Sequence, residues 1–190
     1  EDAKALLIGN GFLVGGIHSA IGDALTALGK YREAIVYKKR AWDALKPQSK
    51  REYRFASDIA LDVATLGYVS SAPQSTSETE IASSFEWLNR SLDTFRKSDG
   101  SSSLLAYRLQ FRLLLMLETR RFERLVETID EALSIGSFVD LVAVNGVLAL
   151  PGSGQSQSER ERLDILARKL ETAAKSSGAL RLAVGLAVYY

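Results

Sequence analysis

Apolar residues recur along most of this chain at spacings of three and four, which is the period of an α-helix. No segment alternates apolar and polar residues with the period of two expected of a β-strand. Stretches rich in Ser, Gly and Pro separate the periodic segments. We therefore predict an all-α protein with helices at 12–28, 31–46, 49–69, 78–97, 103–119, 121–135, 137–149, 157–176 and 179–190.

Four of these helices carry the same stripe of small and apolar positions. The stripes begin at Tyr31, Ile81, Phe122 and Leu163, so that successive starts are 50, 41 and 41 residues apart. A stripe repeated at such spacing is typical of stacked helical hairpins, because a single hairpin cannot bury its own apolar face. The alternative is a set of unrelated amphipathic helices, whose apolar residues also recur at three and four.

The best-defined copy of the pattern lies between residues 21 and 41. It has Gly22 in its first helix, the turn Gly29-Lys30-Tyr31, and small residues at Ala34 and Ala41 of its second helix. In this combination the stretch resembles a tetratricopeptide repeat. Arg121-Phe122-Glu123-Arg124-Leu125 with Ala132 resembles a second, weaker copy.

The spacing of about 41 residues resembles the longer variants of this repeat found in adaptor proteins and in sensor regions of bacterial regulators. The resemblance implies a right-handed superhelical stack of antiparallel helix pairs, with about four pairs and a terminal helix. We expect residues 1–190 to form one such domain, as a fragment of a longer chain. Pentatricopeptide and other α-solenoid repeats remain open as alternatives.

The composition restricts the chemistry available to the chain. It contains no cysteine and a single histidine, His18, which excludes disulfides, thiolate metal sites, cysteine nucleophiles and multi-histidine metal sites. His18 and Ser19 are neighbours on a helix and point about 100° apart, so they do not form a prearranged hydrolytic pair. The glycines around Gly9-Asn10-Gly11 lack the strands that a nucleotide-binding turn requires. We expect no enzymatic activity, no metal and no cofactor.

Charge and hydropathy restrict the partners. A net charge of +1 gives no strong field for nucleic acid or for an anionic membrane. Residues 5–22 carry no formal charge and approach the length of a membrane span, but five of these 18 residues are glycine. We therefore expect a cytoplasmic protein that binds neither nucleic acid nor membrane.

Candidate groove residues come from three helices. The resemblance to tetratricopeptide repeats implies that first helices line a concave groove, which nominates Ser19, Asp23 and Thr26. The helix at 49–69 has a polar stripe opposite an apolar one. From this stripe we select Arg54 and Asp58 as candidates. The full stripe consists of Arg51, Arg54, Asp58, Asp62 and Thr65.

The helix at 103–119 supplies a pair of arginines. Arg108 and Arg112 are one turn apart on an otherwise apolar helix, where two guanidinium groups on one face suit a carboxylate. The alternative is internal pairing with acidic residues of the neighbouring helix pair.

These features predict a non-catalytic protein–protein interaction scaffold that binds a peptide or a partner helix in a concave groove. The alternative is a regulatory, effector-sensing segment of a larger signalling or transcription-control protein, in which the groove holds an effector or another domain of the same protein. The apolar segment from Leu180 to Tyr190 could also support self-association.

Overall fold

The computed structural model describes residues 11–71, 78–119, 121–122, 124–135, 161, 164–165, 168–169 and 172. Over these residues the regular secondary structure is helical, which confirms the predicted all-α class for that part of the chain. The helices are α1 (Gly11–Ala27), α2 (Tyr31–Ala44), α3 (Lys50–Ser71), α4 (Glu78–Phe95), α5 (Ser102–Thr119) and α6 (Leu125–Ile135). The chain divides into two compact units, a first unit of Glu1–Gly100 and a second unit of Ser101–Tyr190.

In the first unit each helix packs against the next along the chain: α1 on α2, α2 on α3, and α3 on α4. The turn between α1 and α2 depends on Gly29, whose φ of 72° is in the left-handed region that a residue with a side chain enters at a cost. The amide of Lys30 donates to the carbonyl of Leu25 at 2.9 Å, which closes the end of α1. The predicted turn therefore forms, and it produces an antiparallel helical hairpin.

Small residues allow α1 and α2 to approach closely. A Cβ atom added to Gly15 would lie 2.9 Å from the side chain of Leu45, and one added to Gly22 would lie 2.9 Å from the Cγ atom of Lys38. On α2, Ala34 and Ala41 are fully buried. Gly22, Ala34 and Ala41, which carry part of the family resemblance, are therefore packing positions of this hairpin.

Polar side chains join α3 to α4 at a buried contact. The hydroxyl of Ser57 donates to the carbonyl oxygen of Ser91 at 2.9 Å, and the hydroxyl of Ser91 donates to the carbonyl oxygen of Ser57 at 2.8 Å. Two serines that satisfy each other in this way bury their hydroxyls without leaving an unpaired donor. A T-shaped contact between Trp42 of α2 and Trp87 of α4, with ring centroids 5.6 Å apart, adds apolar packing in the same unit.

In the second unit α5 packs against α6. The sequence predicts a helix that begins at residue 121, but α6 begins at Leu125. The predicted start is wrong because Arg124 has a φ of 62°, in the left-handed region, which interrupts a right-handed helix. Phe122, the predicted first position of the stripe, therefore precedes the helix.

The repeated stripe has a consistent burial pattern in the three copies that the structure describes. The positions three, seven and ten residues after each start are buried in α2, α4 and α6, where they are Ala34, Lys38 and Ala41; Ser84, Leu88 and Ser91; and Leu125, Ile129 and Ala132. The fourth stripe, which begins at Leu163, and the predicted helices at 137–149 and 179–190 lie outside the described residues. The superhelical arrangement of the pairs stays a prediction.

Candidate functional site

One buried position of the stripe is a lysine, and it organises the most polar site of the first unit. The side chain of Lys38 is 2% exposed. Its ammonium group donates to Ser19 Oγ at 3.0 Å, to Asp23 Oδ1 at 2.6 Å and to Asp62 Oδ2 at 2.7 Å. A lysine ammonium has three N–H donors, so these three oxygens satisfy all of them.

Three helices contribute to this site. Ser19 and Asp23 are one turn apart on α1, Lys38 lies in the middle of α2, and Asp62 lies on α3. The methylene chain of Lys38 passes over Gly22, where Cγ, Cδ and Cε all lie within 3.1 Å of the place where a Cβ would be. Glycine at this position is therefore what lets the lysine reach its partners.

The two carboxylates remain accessible to solvent although the cation beneath them is not. The side chain of Asp23 is 67% exposed and that of Asp62 is 45% exposed. Each aspartate has one oxygen bound to Lys38 and keeps further lone pairs that can accept hydrogen bonds. The arrangement therefore presents two fixed carboxylates on the surface.

The partial burial of Asp62 is the largest influence on the pKa of its carboxyl group. Desolvation raises the pKa of Asp62 above its ordinary value of 3.8, while the hydrogen bond from Lys38 and its positive charge act in the lowering direction. The charges of Asp23 and Asp58 add to the raising effect. Asp62 is therefore within electrostatic reach of two other carboxylates, Asp23 and Asp58, as well as of the Lys38 ammonium.

The sequence-predicted candidates of the first unit occupy different environments. Lys38 brings Ser19 and Asp23 together, as described above. The hydroxyl of Thr26 donates to the carbonyl oxygen of Gly22 at 2.9 Å, within α1 itself. On α3, Arg54 is exposed and Asp58 is half-buried one turn before Asp62.

Arg108 and Arg112 lie on α5 in the second unit, and both are almost wholly buried. The Nη1 atom of Arg108 donates to the carbonyl oxygen of Leu104 at 2.9 Å, which is a contact within its own helix. Their burial agrees better with the alternative of internal pairing than with an open groove. For this pair both the groove and the internal pairing stay predictions.

The sequence reasoning placed Asp62 in the polar stripe and noted that Lys38 breaks the small and apolar pattern of its own helix, but it did not select Lys38 as a site residue. A signal for Lys38 exists in the repeated stripe, since the equivalent positions in α4 and α6 are Leu88 and Ile129. A lysine at a position that is apolar in the other copies indicates a buried cation that requires acidic partners nearby.

Three further observations bear on function. In the described part of the chain no three acidic or histidine side chains are grouped so that they could hold a metal ion. Among the same residues no helix has the length and apolar character needed to cross a membrane. Comparisons of the chain with models of protein families, with curated proteins and with solved structures found no match.

Proposed function

We propose that this chain is a non-catalytic protein-interaction module that binds a segment of a partner protein bearing lysine or arginine. The binding region is an acidic surface consisting of Asp23 of α1 and Asp62 of α3. The observation that supports the proposal is that buried Lys38 fixes Asp23 and Asp62 from below while both stay accessible from solvent.

Fixed carboxylates favour binding because less conformational entropy is lost when a ligand arrives. A free surface aspartate loses rotamer freedom on forming a contact, whereas Asp23 and Asp62 are already held at 2.6 and 2.7 Å by the same ammonium. Carboxylate oxygens accept strong, charge-assisted hydrogen bonds from ammonium and guanidinium groups. The acidic surface therefore suits cationic side chains.

The magnitude of the attraction is modest, because these carboxylates are partly exposed to water. Ion pairs between exposed groups contribute about 0.2–1 kcal/mol each and weaken with salt. Two or three such contacts select for positive charge and leave most of the affinity to apolar contacts. We therefore expect weak, salt-dependent binding of a peptide or a partner helix.

A catalytic role for Lys38 is disfavoured by its hydrogen bonds. A lysine acts as a nucleophile or base through a neutral amine with an accessible lone pair. Here the group is buried, and its three N–H donors all meet oxygen acceptors, two of which are carboxylates. These contacts leave no N–H donor of Lys38 unpaired, which suits a structural group beneath a binding surface.

The proposal can be tested with a displayed library of random peptides selected on the immobilised chain. We expect the selected sequences to be enriched in lysine and arginine, and Asp23→Asn to weaken their binding by about threefold or more. The matched control is Asp43→Asn, an exposed aspartate on α2, which should leave the affinity unchanged. Selected peptides without excess basic residues, or equal losses in the two variants, would contradict the proposal.

A further inference from the structure

Each aspartate that Lys38 holds is followed, three residues later on the same helix, by a threonine. Thr26 follows Asp23 on α1, and Thr65 follows Asp62 on α3. Residues three apart on a helix are neighbours on one face, so each threonine lies beside its aspartate. Both threonines are half-buried. We call these four residues the acceptor site.

The two threonines of the acceptor site can accept hydrogen bonds from a ligand but cannot donate to one. The hydroxyl of Thr26 donates to the carbonyl oxygen of Gly22 at 2.9 Å. The hydroxyl of Thr65 makes the same bond on α3, to the carbonyl oxygen of Leu61 at 2.9 Å. A hydroxyl has one proton and two acceptor lone pairs, so a hydroxyl that has committed its proton still accepts.

The two aspartates supply acceptors that lie close together. Oδ1 of Asp23 and Oδ2 of Asp62 bind the same nitrogen at 2.6 and 2.7 Å, so these two oxygens are no more than about 5 Å apart. The other oxygen of each carboxylate accepts no hydrogen bond from any residue in the part of the chain that the structure describes. One cationic group of a ligand can therefore contact both carboxylates at once.

We infer that the acceptor site binds the guanidinium group of a single arginine of the partner protein, an inference that rests on the proposed function. A guanidinium group has five N–H donors and no acceptor, and it pairs with a carboxylate through two parallel hydrogen bonds. The acceptor site offers two carboxylates and two hydroxyl oxygens, and none of its four residues has a donor to spare. A ligand carboxylate or phosphate, which needs donors, finds none among them.

A lysine of the partner suits the acceptor site less well than an arginine. Its ammonium group has three donors, which is fewer than the four residues that offer acceptors. Its charge is concentrated on one nitrogen, which has to approach carboxylates that already bind the ammonium of Lys38. The charge of a guanidinium group is delocalised and more weakly hydrated. We therefore expect arginine to bind about threefold more tightly than lysine, or better.

Methylation of the bound arginine should weaken the contact. Methyl groups leave the charge of a guanidinium in place but replace N–H donors, so fewer oxygens of the acceptor site are satisfied. The same site would then distinguish a methylated from an unmethylated partner, although both carry the same charge.

NMR titration of the full chain, followed by its backbone amide resonances, tests the inference with small probes. The probes are the acetylated and amidated forms of arginine, lysine, symmetrically dimethylated arginine and citrulline. The arginine probe should shift the resonances around Asp23 and Asp62 with a dissociation constant in the millimolar range, since a few exposed ionic contacts are weak. The lysine and dimethylarginine probes should bind about threefold more weakly or worse, and the uncharged citrulline probe should not bind.

Thr26→Val and Thr65→Val each replace one hydroxyl acceptor with a methyl group. Each should weaken binding of the arginine probe about two- to fivefold and change binding of the lysine probe less than about twofold. The matched control is Thr119→Val, because Thr119 is a half-buried threonine of α5 whose hydroxyl likewise donates to the carbonyl four residues earlier, that of Leu115. This control should leave both affinities unchanged, and far-UV circular dichroism checks that each variant is folded.

The outcomes distinguish failure of this inference from failure of the proposed function. Equal affinities for the arginine and lysine probes, both reduced by Asp23→Asn and not by Asp43→Asn, would overturn the inference and leave the acidic surface in place. An arginine preference that persists in both valine variants would also overturn it. So would the absence of binding by any probe, while basic peptides that depend on Asp23 would still support the proposed function. A citrulline probe that binds as tightly as the arginine probe would contradict both.

Discussion

Replacement of Lys38 by methionine removes the buried charge while keeping most of the length of the side chain. The ammonium makes three hydrogen bonds of 2.6–3.0 Å, and bonds to charged partners contribute about 1.5–3 kcal/mol each when both sides are buried. Asp23 and Asp62 are partly exposed, so water can hydrate them once the cation is gone. The variant also avoids the cost of burying an ammonium group. We expect a net loss of about 1–3 kcal/mol in the free energy of unfolding of the first unit.

Urea denaturation at neutral pH, followed by tryptophan fluorescence, measures this loss. Both tryptophans of the chain, Trp42 and Trp87, lie in the first unit, so the signal reports on that unit. Lys38→Ala should cost about 3–5 kcal/mol, since it also removes the methylenes that pack on Gly22. Lys50→Met, at an exposed position of α3, should change the stability by less than about 0.5 kcal/mol. If Lys38→Met unfolds at the same or a higher urea concentration than the natural chain, the ion pairs provide no net stability and the reasoning is refuted.

Three further changes probe polar and packing contacts elsewhere in the first unit. Gly22→Ala should destabilise the first unit by about 1–3 kcal/mol in thermal unfolding, because the new methyl group would lie 2.9 Å from Cγ of Lys38; an unchanged melting temperature would show that the lysine moves freely. Asp62→Asn removes a carboxyl whose pKa is raised by burial above 3.8. The folded state binds this proton more tightly than the unfolded state, so the contribution of Asp62 is favourable at low pH and is lost as pH rises through its folded pKa. When urea unfolding is measured at a series of pH values rising from about pH 4, the midpoint of the natural chain should therefore fall relative to that of Asp62→Asn. Midpoints of the two proteins that change in parallel with pH would contradict this. Ser91→Ala should cost about 1–2 kcal/mol in urea unfolding, since it removes the donor at 2.8 Å from the carbonyl of Ser57, and a loss below about 0.5 kcal/mol would indicate that water replaces it.

The helices were predictable because each buries one side and therefore carries the 3.6-residue period. The predicted helices at 78–97 and 103–119 differ from the observed Glu78–Phe95 and Ser102–Thr119 by no more than two residues at either end. The start of α6 was not predictable, because the left-handed φ of Arg124 belongs to a residue type that rarely adopts it.

The candidate site was predictable only in part. The sequence reasoning selected Ser19 and Asp23 because the resemblance to tetratricopeptide repeats implies that first helices line a groove, and their helical spacing places both on one face. Lys38 was not selected as a site residue because lysine in a helix is ordinarily solvent-exposed, and its burial depends on oxygens supplied by two other helices. Likewise the shared face of Arg108 and Arg112 follows from their spacing, whereas their burial depends on tertiary packing around α5.

The burial of Lys38 has a consequence for the chemistry of its amine. Acylating reagents, whether enzymatic acetyl donors or laboratory anhydrides, need to approach the nitrogen along a free lone pair. In the folded first unit the nitrogen of Lys38 is buried and hydrogen-bonded, so the reagent cannot reach it. Modification of Lys38 therefore requires α1, α2 and α3 to separate first. The rate at which Lys38 becomes acylated, set against the rates at the exposed Lys30 and Lys50, would therefore report how often this part of the molecule opens.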